Sequence, residues 1–314
     1  MAKKPVARRK QAPRKAEVVC FGMLIPSIVL VVDRLPERNT GELIRQAGET
    51  IEDDAAIIAW QLRYWNVRTG LIGTSLGNDS RGRDLARRLR EQGVLGKVRL
   101  SRTMGSPYEV DVSDVEGART YFWQREPEVL DTLDTADLSL IRGARIFYAD
   151  WYDGDHILRA MDEARRLGVP VFLNVEHGHV DPHVLSEFIP RSTICQATTD
   201  PAQVSGDPLE VAAKLLEVGA QTAIVTLAAE GSLVVRGQDR LRAWAPKVRV
   251  VDSCGAGATY SAGFIYGQLK RWSLEEMVRF ATAAASIKCT LVGMRVSPVA
   301  EVRRLAETVR LERW

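Results

Sequence analysis

Apolar runs and amphipathic stretches alternate regularly in the second half of the chain. The run ARIFYAD (144–150) is apolar enough for a buried strand, and DHILRAMDEARRLG (155–168) has the spacing of an amphipathic helix. The same order recurs through PVFLNVE, DPHVLSEFI, STICQA, DPLEVAAKLLEVG and TAIVTL. Strands that alternate with helices of this length predict βαβ units in a mostly parallel sheet, which binds its ligands at the carboxyl ends of its strands.

The first half of the chain contains strands of another kind. The run EVVCFG (17–22) predicts a buried strand, IVLVVDR and ELIRQA predict two more, and residues 53–65 have helical spacing. Residues 107–123 form two alternating runs around a Glu-Gly turn, which is typical of a hairpin. We expect the segments 28–47 and 107–123 to form a small β-sheet lid over the ligand crevice.

The C-terminal third completes the predicted fold. The runs GSLVVRG, RLRAWAP and VRVVD predict strands at the sheet edge, and helices are expected over about 256–270, 273–288 and 298–310. The predicted fold class is therefore α/β, with a central, mostly parallel sheet flanked by helices on both faces and a small β-sheet lid. Residues 17–314 are expected to form one domain.

Composition agrees with a protein that has a sizeable core. The chain has 314 residues, of which 46% are hydrophobic and 26% are charged, both ordinary values for a globular protein. No apolar run approaches the roughly 20 residues of a membrane span, and we expect no membrane association. The four cysteines are scattered without a metal-binding spacing, so we expect reduced thiols and a cytoplasmic location.

The first 16 residues are strongly basic. Seven cations precede the first acid, Glu17, whereas the net charge of the whole chain is only +3. The segment also contains prolines and few apolar residues, so we expect it to be disordered. One interpretation is an arm that contacts nucleic acid or another polyanion. The other is a solubilising leader or a targeting remnant, which the absence of aromatic residues for base stacking favours.

The stretch DSCGAGATYSAGF (252–264) carries the strongest chemical signal. Gly255, Ala256 and Gly257 lie where the predicted strand VRVVD meets the predicted helix from residue 256. Unpaired backbone N–H groups at a helix start stabilise an anion together with the helix dipole. The alternative is a tight turn that needs glycine only for close packing.

This stretch resembles the C-terminal signature of the ribokinase/PfkB family of sugar kinases, usually D-T-x-G-A-G-D. The segments VRTGLIGTSLGNDSRGR, GAQTAIVTLAAEGSLVV and ATAAASIKCTLVG are similar to further family segments in the same order. The resemblance covers about residues 17–311. It implies a ribokinase-like fold and a site for ATP with Mg²⁺.

Family roles, carried onto this sequence, indicate a degenerate site. The resemblance assigns an anion hole to Gly255, Ala256 and Gly257, and nucleotide-binding positions to Thr226, Ala228, Gly231 and Thr282. The position of the catalytic aspartate is Ala258, whose side chain cannot accept a proton. The sugar-binding aspartate, two glycines and asparagine of the family correspond to Ser27, Glu52, Asp53 and Ile57.

Smaller signals leave further alternatives open. The segment NVEHGHVDPH contains Glu176, His177, His179 and His183, which could hold a metal or supply a replacement base, or could form a solvated loop. Glu109 and Arg119 on the predicted hairpin could reach a ligand under the lid, or could be solvated. Exposed apolar positions on the lid, including Val29, Val31, Val110 and Tyr121, would leave an adhesive edge and predict a homodimer through the lid.

Three hypotheses for function follow. The first is a pseudokinase, a binding or scaffold module for a nucleotide or sugar-like ligand, in which ATP and Mg²⁺ bind weakly or not at all. The second is an active ATP-dependent sugar or nucleoside kinase with a relocated base. The third is a nucleic-acid-associated protein that uses the basic segment 1–16.

Overall fold

The computed structural model describes residues 15–115, 117–199, 206–293 and 295–313. In chain order, its first elements are β1 (Val18–Gly22), β2 (Ile25–Val32), β3 (Ile44–Glu52), α1 (Asp54–Tyr64), β4 (Thr69–Gly73), β5 (Leu76–Gly77), α2 (Ser80–Gln92), β6 (Leu100–Ser101), β7 (Tyr108–Ser113), β8 (Arg119–Gln124) and α3 (Glu128–Asp134). Then come β9 (Ile146–Asp150), α4 (Leu158–Arg166), β10 (Val171–Glu176), β11 (Ile194–Thr198), α5 (Pro208–Val218), β12 (Thr222–Thr226), β13 (Ser232–Arg236), β14 (Asp239–Ala243), α6 (Ala256–Lys270), α7 (Leu274–Lys288), α8 (Val299–Ala306) and β15 (Leu311–Arg313).

A large sheet forms the centre of the molecule. Within the described residues it has nine strands in the order β15-β14-β13-β12-β11-β10-β9-β1-β4. The pairs from β4 to β12 are parallel, and the pairs from β12 to β15 are antiparallel. The parallel part ends at a single edge, where the carboxyl ends of β1, β9, β10, β11 and β12 meet.

Helices cover both faces of this sheet, because successive side chains of each strand point in opposite directions. In β1, Val18 and Cys20 join the hydrophobic cluster that includes α1, α6 and α7. Val19 and Phe21 join the cluster on the other face, which includes α4 and α5. This explains why β1 is an unbroken apolar run, as is typical of a strand buried on both faces.

The two predicted lid segments contribute to one small sheet. Its strands lie in the order β3-β2-β7-β8, with β2 and β7 parallel and the other pairs antiparallel. The hairpin predicted over 107–123 is present as β7 and β8. Both β3 and β8 are edge strands of this sheet.

Several predicted elements differ from the structure. The segment VRVVD (248–252) is not a strand, because the N–H groups of Val251 and Asp252 donate to the carbonyl of Cys289 rather than to a neighbouring strand. The short helix predicted over 181–189 is a π-helical turn over Val184–Phe188 followed by a 3₁₀ turn. The strand β15 was not predicted, because three residues are too few for a recognisable alternation.

The structure describes little of the N-terminal segment. Residues 1–14 of the predicted basic tail lie outside the described residues, whereas Ala16 is buried against the domain. Among the described helices, none has the length and apolar character needed to cross a membrane.

The lid presents apolar side chains, but not all of the expected ones. Val29 and Val31 are buried in a cluster with Val292, so they do not form an adhesive edge. On the edge strand β8, by contrast, Phe122 and Trp123 are 59% and 63% exposed. An edge strand with exposed aromatic side chains offers both unpaired backbone groups and apolar surface to a second copy.

We propose that the chain forms a homodimer through β8 of the lid. Light scattering after size exclusion is expected to give a dimer at tens of micromolar, and the double variant Phe122→Ser, Trp123→Ser is expected to be monomeric. Tyr64→Ser removes an aromatic side chain that is 45% exposed on α1 and is the matched control. A monomeric native chain at the same concentration would refute this assembly.

Candidate functional site

The start of α6 forms an anion-binding geometry at the edge of the sheet. Gly255 precedes the helix with φ of 69°, a left-handed conformation that residues with a Cβ adopt only at a cost. The N–H of Ala256 donates to the carbonyl of Ser253 (3.2 Å). Among the hydrogen bonds of the described residues, none uses the N–H groups of Gly257 or Ala258 as donors, so these two amides are available to an anion.

Ala258 places a buried methyl group in the first turn of α6. Its side chain is 0% exposed and belongs to the hydrophobic cluster between the sheet and the helices. The position that the family resemblance assigns to a base therefore holds no titratable group. A larger polar side chain there would have to enter a packed apolar environment.

Glu176, at the end of β10, brings a carboxylate to the start of α6. Its Oε1 is 3.6 Å from the point where a Cβ on Gly257 would lie. Asn174 Nδ2 donates to Glu176 Oε1 (3.3 Å), and Tyr152 Oη donates to Oε2 (3.4 Å). Asn174 Nδ2 also donates to Asp54 Oδ2 (2.8 Å). Burial and the charge of Glu176 raise the pKa of Asp54 to about 7.

Gln196 on β11, the strand next to β10, contacts the start of α6. Its Nε2 donates to the carbonyl of Gly257 (3.4 Å), while Ser261 Oγ donates to its Oε1 (3.0 Å). The sequence reasoning missed Gln196, Asp54 and Asn174. Gln196 and Asn174 lie near the carboxyl ends of parallel strands, and this position could have identified both as candidate site residues.

The predicted substrate positions do not form a single group. Cys254 Sγ donates to Glu52 Oε2 (3.2 Å), and Ile57 Cδ1 lies 3.1 Å from the point where a Cβ on Gly255 would stand. Glu52 and Ile57 therefore lie beside residues 253–257, which we call the anion loop. Ser27 is buried in the lid sheet and donates to the carbonyl of Ile25 (3.1 Å). Asp53 caps α1, where its side chain accepts from the N–H of Ala55.

The lid contributes an acidic cluster close to the same loop. Glu52, Asp111 and Cys254 are all buried, and one potential ligand atom of each lies within 4.8 Å of the others. Burial and the neighbouring Asp111 raise the pKa of Glu52. The same two causes raise the pKa of Glu109 to about 8. Negative charge in this cluster is therefore unfavourable at neutral pH.

Two cations lie close to the same loop. Arg119 on β8 is half-buried and its Nη1 donates to the carbonyl of Ser253 (3.5 Å), so the lid contacts this loop. Lys288 Nζ at the end of α7 forms an ion pair with Asp252 Oδ2 (3.1 Å), and its side chain is only 9% exposed. The ammonium group also donates to the carbonyl of Leu291 (3.3 Å).

The predicted nucleotide positions lie at the end of β12, in the turn before β13 and in the middle of α7. Thr226 and Thr198 hydroxyls are 2.6 Å apart, and Thr282 Oγ1 is 3.4 Å from Ser232 Oγ. Gly231 has φ of 96°, and a Cβ there would collide with the backbone of Ala243. Ala228 has φ of 47°, a conformation that glycine adopts more readily.

The histidines near Glu176 do not converge on a metal site. His177 packs edge-on against Trp151, His179 Nδ1 is 3.1 Å from the carbonyl oxygen of Glu176, and His183 Nε2 bonds Asp155 (2.7 Å). Among the described residues, no metal-compatible group of three includes one of these histidines. The interpretation of this segment as a metal site is therefore not supported.

Comparisons with known proteins agree on one family. The model of the pfkB family carbohydrate kinases matches residues 54–300. Ribokinase from Arabidopsis thaliana is 28% identical over 304 residues, covering 88% of this chain and 76% of the relative. Aminoimidazole riboside kinase from Salmonella typhimurium is 26% identical over 246 residues, covering 71% of this chain and 77% of the relative.

A solved structure confirms the predicted fold class. The structure of ribokinase from Arabidopsis thaliana, complexed with ribose and ATP, superposes with a TM-score of 0.74. The two proteins are 21% identical in this alignment, which covers 94% of this chain and 99% of that chain. The shared features are the large mostly parallel sheet, the flanking helices and the small second sheet.

The raised pKa of Glu109 predicts how stability depends on pH. Burial raises the pKa of this carboxyl most, the neighbouring Asp111 raises it further, and Arg125 opposes both. The folded state keeps the proton on Glu109 up to about pH 8. The stabilisation that this proton gives is therefore complete below about pH 4 and is lost as the pH rises towards 8. The slope for one proton is at most about 1.4 kcal/mol per pH unit.

We expect Glu109→Gln to flatten this dependence between pH 5 and pH 8. Urea unfolding at several pH values measures it, and Glu217→Gln on the surface of α5 is the matched control. Equal pH dependence in Glu109→Gln and the native chain would contradict the expectation.

Proposed function

The chain belongs to the pfkB family of carbohydrate kinases, and we propose that it is a member that binds ligands in the crevice without transferring a phosphoryl group. The observation that carries this proposal is the buried methyl group of Ala258 in the first turn of α6. Transfer to a hydroxyl requires a base that accepts the proton close to the reacting phosphorus. Ala258 cannot take that role, whereas the free amides at the helix start still suit an anion.

The sugar side of the crevice supports the same proposal. Ile57 offers no hydrogen bond, and the hydroxyl of Ser27 is already bonded to the backbone. Glu52 is engaged with Cys254. A neutral sugar would therefore find few of the hydroxyl contacts that the family resemblance implies at these positions.

ATP with Mg²⁺ fits the remaining features only in part. The N–H groups of Gly257 and Ala258 would bind phosphate, and Thr226, Gly231 and Thr282 would lie along the nucleotide. Bound Mg²⁺ would screen the charge of the phosphates. The nearby carboxylate of Glu176 repels phosphate, and Ala228 in a left-handed conformation makes the nucleotide loop costly to form. We therefore propose weak nucleotide binding.

A second candidate function is an active sugar or nucleoside kinase with a relocated base. The specific observation in its favour is the position of Glu176, whose Oε1 lies 3.6 Å from the site of a Cβ on Gly257. A carboxylate at that place could accept a hydroxyl proton if a substrate were bound there. The two candidates make opposite predictions for removal of this charge.

Two further proposals concern a polyanionic partner and the cellular location. The basic N-terminal segment is proposed to contact a polyanion such as nucleic acid, and a cytoplasmic location is proposed from the cysteine pattern. Salt-dependent binding of the full chain to RNA or DNA, lost on removal of residues 1–14, is the test of the first.

Ala258→Asp is expected to leave phosphoryl transfer at background with ribose, fructose and nucleosides. A well-placed base contributes roughly 10²–10⁴-fold, but the new carboxylate would be buried in an apolar cluster and the sugar would not be held in line. A coupled assay of ADP release measures the effect, with Ala258→Asn as the uncharged control of equal size. Robust sugar-dependent turnover by Ala258→Asp would show instead that the native chain lacks only its base.

Glu176→Gln separates the two candidates. If the chain is a binding module, the native protein shows no turnover and the variant binds ADP about 3- to 10-fold more tightly, since a negative charge near the helix start has been removed. Calorimetry measures the affinity, with Glu210→Gln on the exposed surface of α5 as control. If Glu176 is the base, the native chain is active and the variant loses at least about 10²-fold in turnover.

A further inference from the structure

Three aspartates converge where the carboxyl ends of β1 and β9 meet the start of α1. Asp53 caps α1, Asp150 ends β9, and Asp153 lies in the 3₁₀ turn Trp151–Ile157 that follows. One carboxylate oxygen from each lies within 4.8 Å of the other two. This group is distinct from the start of α6 and from the cluster around Cys254.

Each aspartate uses one oxygen to bind a backbone N–H group. The donors are Ala55 to Asp53 Oδ1 (3.1 Å), Tyr152 to Asp150 Oδ1 (3.2 Å) and Met23 to Asp153 Oδ2 (3.1 Å). These bonds fix the orientation of all three carboxylates and leave the second oxygen of each for another partner. Ligands held in place in this manner are typical of built metal sites.

Two of the remaining oxygens are buried without a partner. Asp150 Oδ2 and Asp153 Oδ1 accept no hydrogen bond, and both side chains are 0% exposed. Within the described part of the chain, no Lys, Arg or His forms an ion pair with any of the three aspartates. A buried, unpaired carboxylate oxygen is costly, so this arrangement indicates a missing positive partner. Asp53 is only half-buried.

Gly22 at the end of β1 makes room for this convergence. A Cβ at this position would lie 2.8 Å from Asp53 Oδ1 and 2.9 Å from Asp153 Oδ2. Any other residue would therefore push these carboxylates apart. The glycine is needed here for close approach of side chains and not for an unusual backbone angle.

We propose that Asp53, Asp150 and Asp153 form a binding site for a hard divalent cation of the Mg²⁺ or Mn²⁺ class. The donors are oxygens only, which favours these ions over zinc or copper. Three protein ligands leave coordination positions for water or for a ligand hydroxyl, as is usual for Mg²⁺ sites. Such an ion would be bound by the protein itself and would not depend on a nucleotide.

The test is metal binding by the full chain without nucleotide. After treatment with a chelator, the native protein is expected to bind one Mn²⁺ saturably, as seen by loss of the free Mn²⁺ signal in electron paramagnetic resonance, and Mg²⁺ is expected to compete. The melting temperature should rise with Mg²⁺ concentration and then saturate. Absence of saturable binding at millimolar Mn²⁺ would overturn the proposal.

Substitutions locate the site. Asp150→Asn should weaken Mn²⁺ binding by more than about 10-fold and abolish the metal-dependent rise in melting temperature, while the metal-free protein becomes more stable because one buried charge is removed. Asp153→Asn should behave in the same way and replaces Asp150→Asn if that variant does not fold. Asp134→Asn, from the more exposed group Asp131, Asp134 and His156, is the control and should bind as the native chain does.

A further variant tests whether the ion binds instead at the other buried cluster. Cys254→Ser removes a potential ligand from the group with Glu52 and Asp111, and it should retain full Mn²⁺ binding. If Cys254→Ser loses the ion while Asp150→Asn retains it, the ion binds at the other cluster and the proposal is wrong.

Discussion

The buried carboxylate of Asp252 joins the parts of the molecule on which the crevice depends. Its side chain is 0% exposed and accepts from Lys288 Nζ on α7, the N–H of Cys254 in the anion loop, the N–H of Gly293, and Ser113 Oγ on the lid. The single carboxylate of Asp252 therefore links the lid, the loop before α6 and the end of α7. Loss of either partner from a buried ion pair costs about 3–5 kcal/mol, because the other charge remains unpaired.

The electrostatics of the crevice arise from two opposed features. The start of α6 offers amides and the positive end of a helix, which favour an anion. Glu52 and Glu176 lie near this start, and the separate group of Asp53, Asp150 and Asp153 lies near Gly22; these carboxylates favour a cation. An ordinary sugar kinase site needs both a phosphate and a neutral sugar to be held together. Here acidic side chains outnumber the cations near the loop, while the architecture of the family is retained.

Much of the fold could be predicted from the chain because local patterns are strong in α/β proteins. Alternating apolar runs and amphipathic helices predicted the parallel sheet, and the hairpin over 107–123 was recognisable from its turn. The segment VRVVD was misleading, since its β-branched residues favour a strand but its backbone bonds to the end of α7 instead. Intrinsic preference yielded there to a tertiary contact.

The candidate site shows where the sequence by itself stops. The sequence determined which groups are present: glycines at a helix start, a methyl group at Ala258, and the acids Glu52 and Asp53. Only the tertiary structure decided that Glu176 lies beside Gly257, and that Asp53 meets Asp150 and Asp153. Glu176 and Gly257 are 81 positions apart along the chain, and Asp53 and Asp150 are 97 positions apart. The sheet brings strand ends together irrespective of sequence separation, and no local pattern encodes which side chains then share a buried space.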